Sequence, residues 1–148
     1  MIPDAVSSTQ PGVVESSLDI LEPRLLIDEV RVRLDLIRHP FVSDLYIYLV
    51  APDGTDILIA FAVGADTDDF YRTRLYDGAA QAIFSGSGPF TGEFRPDNPL
   101  EPLRGRDASG AWRLRIEDHV VRDSGVLYEW SLEICRSPLY LPAIIKAH

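Results

Sequence analysis

Two segments near the end of the chain constrain its fold more than any others. Trp112, Leu114 and Ile116 alternate with Arg113, Arg115 and Glu117, and Trp130, Leu132 and Ile134 alternate with Ser131, Glu133 and Cys135. A period of two puts each apolar set on one face of a strand, with a tryptophan inside each strand and a wet face outside. Between them, Asp118 and Asp123-Ser124-Gly125 supply the acidic, glycine-containing reversal of an antiparallel connection.

The same period recurs upstream. Val30, Val32, Leu34 and Leu36 form one strand face, Leu45, Ile47 and Leu49 a second, and Ile57, Ile59 and Phe61 a third after the turn Pro52-Asp53-Gly54-Thr55. Leu18 to Ile27 reads as an edge strand interrupted by Pro23. The Gly- and Pro-rich stretch Ser85 to Pro102 reads as a long irregular crossover. No amphipathic helix is evident. Short apolar segments punctuated by turns predict an all-β sandwich, and 148 residues suit one domain.

Composition removes several functions. A net charge of −9 repels a nucleic-acid backbone, and Lys146 is the only lysine. The arginines, Arg31, Arg33, Arg113 and Arg115 among them, sit at outward strand positions and make no patch. No apolar run reaches the roughly 18 to 20 residues of a membrane helix. Cys135 is alone, which rules out an internal disulfide, and His39, His119 and His148 sit in no motif that would activate it. One cysteine and three dispersed histidines do not make a zinc ligand set. Asn98 precedes Pro99, so it is no glycosylation acceptor.

Catalytic patterns fail in the same way. Ser85-Gly86-Ser87-Gly88 lacks the strand-elbow-helix context of a hydrolase nucleophile, so it reads as a loop. Asp123-Ser124-Gly125 invites comparison with dimeric aspartic proteases, where two aspartates share a proton. Arg122 stands where that arrangement needs a hydrophobic strand, and Gly105-Arg106-Asp107 comes before the triplet instead of after it.

A colinear set of pieces identifies a family. Ile2-Pro3-Asp4, Val30 to Leu36 with Arg38-His39, Ser43 to Leu49 with Pro52-Asp53-Gly54-Thr55, Asp68-Asp69-Phe70, Leu75-Tyr76-Asp77, Phe90 to Pro96, Pro99-Leu100, Gly105 to Trp112 and Asp123 to Leu132 occur in one order. Together, over about residues 2 to 135, they resemble the P domain (Homo B domain) of kexin- and furin-like proprotein convertases and bacterial subtilisin-type serine proteases. The resemblance implies a jelly-roll β-sandwich, galactose-binding-domain-like, of about eight antiparallel strands over 1–135. It also implies a non-catalytic module that stabilises and regulates a subtilisin-type protease domain, in cis or in a neighbouring chain. The N-terminus carries no signal peptide, which fits either a cytosolic protein or a segment of a longer secreted precursor, and the resemblance favours secretion. Residues 136–148 form an apolar extension beyond the family pattern, expected to pack on the sandwich or on a neighbouring chain.

The same resemblance, joined to the alternation, implies structural calcium. Calcium takes six to eight oxygens, and loops at strand ends deliver carboxylates. Asp44 starts a strand, Asp77 ends another, and Asp107 and Asp118 bracket the Trp112 strand, so these four are the candidate ligands. Asp66-Thr67-Asp68-Asp69 lacks the spacing of a calcium loop and reads as solvated. A different class of function stays open beside this one: a free-standing carbohydrate-binding or adhesion module using Tyr46, Tyr48, Tyr71, Tyr76 or Tyr128. On this reading Tyr46 and Tyr48, sharing a face, are either a platform or a second buried layer.

Overall fold

The computed structural model describes residues 1–136 and 143–147. Nine strands form two sheets: β1 Gly12–Ile20, β2 Glu29–Arg38, β3 Leu45–Val50, β4 Asp56–Phe61, β5 Phe70–Leu75, β6 Phe90–Phe94, β7 Gly110–Asp118, β8 Val126–Cys135 and β9 Ala143–Lys146. The four-stranded sheet runs β1-β7-β3-β4 and the five-stranded sheet β6-β5-β2-β8-β9. All pairs are antiparallel except β5 and β6, which run parallel. The molecule is an all-β sandwich.

The alternation builds the core as its period requires except at two positions: register shifts take Leu36 off the buried face of β2, where Ile37 is buried instead, and leave Phe61 at the end of β4 50% exposed. Trp112, Leu114 and Ile116 from one sheet meet Trp130, Leu132 and Ile134 from the other, all at most 1% exposed. Neither indole is left unsatisfied: Trp112 Nε1 donates to the Ala108 carbonyl at 2.8 Å and Trp130 Nε1 to Ser16 Oγ at 2.8 Å.

Three further local expectations change. The edge strand expected from Leu18 lies earlier, over Gly12–Ile20, and ends ahead of Pro23, which cannot donate to a ladder. The Ser85–Pro102 crossover contains β6, because Phe90 and Phe94 are buried anchors and Gly92 takes a φ of 102°. The outer face of β8 is not wet. Ser131 and Glu133 are buried, since Ser131 Oγ donates to Asp35 and Arg74 meets Glu133 at 3.1 Å, roofing that face with an ionic layer.

Within the C-terminal extension, β9 pairs with β8 from Ser131↔Lys146 to Ile134↔Ala143, and Ile145 packs against the core. The apolar segment Leu139 to Pro142 lies outside the described residues. Cys135 ends β8, partly covered, and burial raises its thiol pKa, the opposite of what a reactive thiolate needs.

Candidate metal centre

The site begins with the turn before β3. Residues Val42–Asp44 make one 3-10 turn, anchored by the fully buried Val42 and closed by the Asp44 N–H donating to the Phe41 carbonyl at 3.0 Å. Asp118 is the last residue of β7 and pairs with Leu45, so antiparallel register sets it beside Asp44. The His119 N–H, donating to the Asp44 carbonyl at 2.9 Å, ties the two segments together. His39 follows β2 and comes in from the other sheet.

Ligand-type atoms of His39, Asp44 and Asp118 all lie within 4.8 Å of one another, and all three residues are buried. His39 Nδ1 accepts the Phe41 N–H at 3.1 Å, which leaves the Nε2 proton to be donated to Asp118 Oδ2 at 2.8 Å. Asp118 Oδ1 accepts the Val120 N–H at 3.1 Å. Asp69 anchors the His39 backbone by accepting its N–H at 3.0 Å. With both ring nitrogens engaged, His39 has no free lone pair to bind a metal or to take a proton from a serine. Its role is to orient Asp118.

Asp44 is the exception in this network. It is 8% exposed, and no hydrogen-bond donor meets its carboxylate among the described residues. Burial raises its pKa above the ordinary aspartate value, the charge of Asp118 raises it further, His39 opposes, and Asp123 and Asp4 add smaller increments. Two carboxylates this close repel without a counter-charge. Hard oxygens, with one carboxylate lacking any donor, fit calcium, whose remaining positions carbonyls and water can fill.

Of the four predicted ligands, the fold brings two together. Asp107 precedes β7 and Asp118 ends it, so the nine-residue strand holds them roughly 25–30 Å apart. Asp107 instead caps its own turn, accepting from Ser109 N–H at 2.9 Å and Ser109 Oγ at 2.7 Å, bonds that lower its pKa. Asp77 follows β5, which starts beside the end of β2 and runs antiparallel to it, so Asp77 emerges at the far end. There it accepts the Leu100 N–H at 2.8 Å and lines a cleft with Glu29 and Glu101.

Sequence reasoning missed His39, Asp4 and Asp123 as members of this neighbourhood. No spacing links positions 4, 39, 44, 118 and 123; only strand pairing does.

The sequence pattern of the Proprotein convertase P-domain matches residues 27–134. The crystal structure of a serine protease of Aeromonas sobria is 18% identical, with a TM-score of 0.43, covering 99% of this chain and 22% of that one. The Aeromonas sobria protease solved in complex with its chaperone is 19% identical, with the same coverages and TM-score. The chain thus spans about a fifth of the length of these solved proteins. No curated protein matches.

Proposed function

The chain belongs to the proprotein convertase P-domain family, and from that premise we propose that it is a non-catalytic module that packs beside a subtilisin-type serine protease domain, stabilises it and makes it calcium-dependent. The observation that carries the reading is the family pattern spanning 27–134, most of the sandwich. The chemistry supports it: His39, the one buried histidine among the described residues, has both nitrogens committed, so it activates no nucleophile. An apolar rim suits a docking surface. Phe41, Val120 and Val121 stand 40%, 49% and 44% exposed around the Asp44–Asp118 pair.

Calcium in this proposal is structural. Asp44 and Asp118 would hold it, and its charge would remove the repulsion between them, while His39 keeps Asp118 aimed. Weak sites of this kind, at about 10⁻⁴–10⁻³ M, suit extracellular modules, consistent with a secreted protein. The test has two parts. Calcium at a hundred times its dissociation constant should stabilise the chain by about 2.7 kcal/mol, raising the melting midpoint by several degrees over chelator; an unchanged midpoint removes the metal. A subtilisin-type protease domain found in the same reading frame should melt lower when this chain is deleted. Equal midpoints with and without it would remove the stabilising role.

One observation favours the carbohydrate-binding alternative. Tyr46 lies against His119 and Phe61, Tyr48 under Arg115, and Tyr76 beneath Arg31, so all three serve the fold. Tyr71 and Tyr128, 44% and 60% exposed, line adjoining cavities of about 380 and 430 Å³ that share Arg38 and Asp69. A glycan array decides: binding lost in Tyr71→Ala and Tyr128→Ala supports the sugar module, and a silent array removes it.

A further inference from the structure

Residues 1–5 are not a loose end. Ile2 is fully buried and exchanges two backbone hydrogen bonds with Gly125, 2.6 Å from Ile2 N to Gly125 O and 3.0 Å in return. Gly125 tolerates no side chain, because a Cβ would stand 2.3 Å from the Arg38 carbonyl. Pro3 and Asp4 pass equally close over Gly12, where an added Cβ would clash with both carbonyls. This segment is therefore seated on the connection that joins β7 to β8.

That connection is strained at the point where Asp4 grips it. Arg122 takes a φ of 124°, a backbone conformation rarely adopted by residues with a side chain. Such a residue persists only when its surroundings over-determine it. Both carboxylate oxygens of Asp4 accept the Arg122 N–H, at 3.0 Å each. The same connection runs from Asp118 through His119, which is bonded to the Asp44 carbonyl, to Asp123. Asp4 and Asp123 both act on Asp44 as like charges.

Four carboxylates from three separate stretches of chain thus face one small region, and of the two buried ones, Asp44 meets no donor among the described residues. Without a cation they repel one another, and through Asp4 that repulsion bears on the N-terminal segment. A divalent cation between Asp44 and Asp118 cancels their two charges, and Asp4 is no longer pushed away by them.

We infer that a cation held between Asp44 and Asp118 also fastens residues 1–5 onto the β7–β8 connection, so that occupancy of the site sets how firmly the start of the chain is docked. The inference rests on the calcium reading of the same site. In the proposed partnership, a protease domain that preceded this module would be joined through this segment, so calcium would stiffen the joint as well as the sandwich.

Hydrogen exchange of the full chain, with calcium and with chelator, tests it, read on peptides covering residues 1–11 and 117–126 and paired with calorimetric titration of calcium. If the segment can lift only after the ion leaves, exchange of its amides slows by one plus the ratio of free calcium to its dissociation constant, about a hundredfold at a ratio of one hundred. Asp44→Asn, whose side chain the segment does not touch, should erase that slowing, and Asp4→Asn should reduce it while calcium still binds. Calcium binding with unchanged exchange over residues 1–11 overturns the inference and leaves the metal site standing. Retention of the slowing in Asp44→Asn overturns it as well. Absence of any calcium heat together with unchanged exchange overturns both this inference and the calcium reading.

Discussion

Asp44 and His39 define opposite kinds of buried polar residue. The His39 ring satisfies two partners, so removing it leaves Asp118 as a fully buried charge short of a donor. Leaving a buried carboxylate without its donor costs about 3 kcal/mol or more. His39→Ala should lose that much in urea denaturation with chelator present, and calcium should restore part of it by countering the unpaired Asp118 charge. Asp44 has repulsion to lose and nothing to donate to it. Asp44→Asn should therefore melt higher than the parent in chelator and gain nothing from calcium, measured by thermal unfolding in both buffers. An Asn variant that melts lower in chelator and still responds to calcium contradicts this account. Asp44 and Asp118 were legible as candidates because strand-end aspartates suit calcium. His39 was not, because its usefulness comes from a partner 79 positions away, brought near by sheet packing.

Edge strands show how elements are protected. β4 borders its sheet, where unpaired backbone groups invite pairing with another chain. Residues 97 and 98 close it. The Asp97 N–H donates to the Ile59 carbonyl at 3.0 Å, the Phe61 N–H to Asp97 Oδ2 at 2.6 Å, and Asn98 Nδ2 to the Leu58 carbonyl at 2.9 Å. Burial raises the pKa of Asp97, against the opposing pull of the Phe61 N–H. A carboxyl raised on folding keeps its proton more firmly in the folded state. The stability it contributes is complete below the ordinary aspartate value of about 3.9 and is lost as pH rises through the raised one. Asp97→Asn keeps an acceptor for Phe61 without the charge, so it should lack this decline and be the more stable variant at neutral pH. Urea midpoints followed from pH 3 to 7 check it, and superimposable profiles would refute it. Strands themselves were readable from alternation wherever one face is buried. β6 was hidden because a five-residue parallel strand containing a glycine carries too little period, and its pairing partner β5 is fixed only in space.

At the scale of the whole molecule, one core joins the two sheets, and each sheet places one tryptophan in it. Single-tryptophan variants Trp112→Phe and Trp130→Phe should therefore report coincident unfolding midpoints by fluorescence and by far-ultraviolet circular dichroism, each lower than the parent. Separated midpoints would mean that the sheets unfold independently. The sequence alone determined the sandwich, most of its inward residues and the family, because a two-residue period, turn chemistry and colinear motifs are local properties of a chain; the register shifts that displace Leu36 and expose Phe61 are not. Only the tertiary structure decided which carboxylates meet, that the outer face of β8 is roofed by ions, and that the first residues lie beside Asp118. Each of these depends on strand register and on which sheet covers which end, and burial of a charge is a property of what surrounds it, which no local pattern encodes.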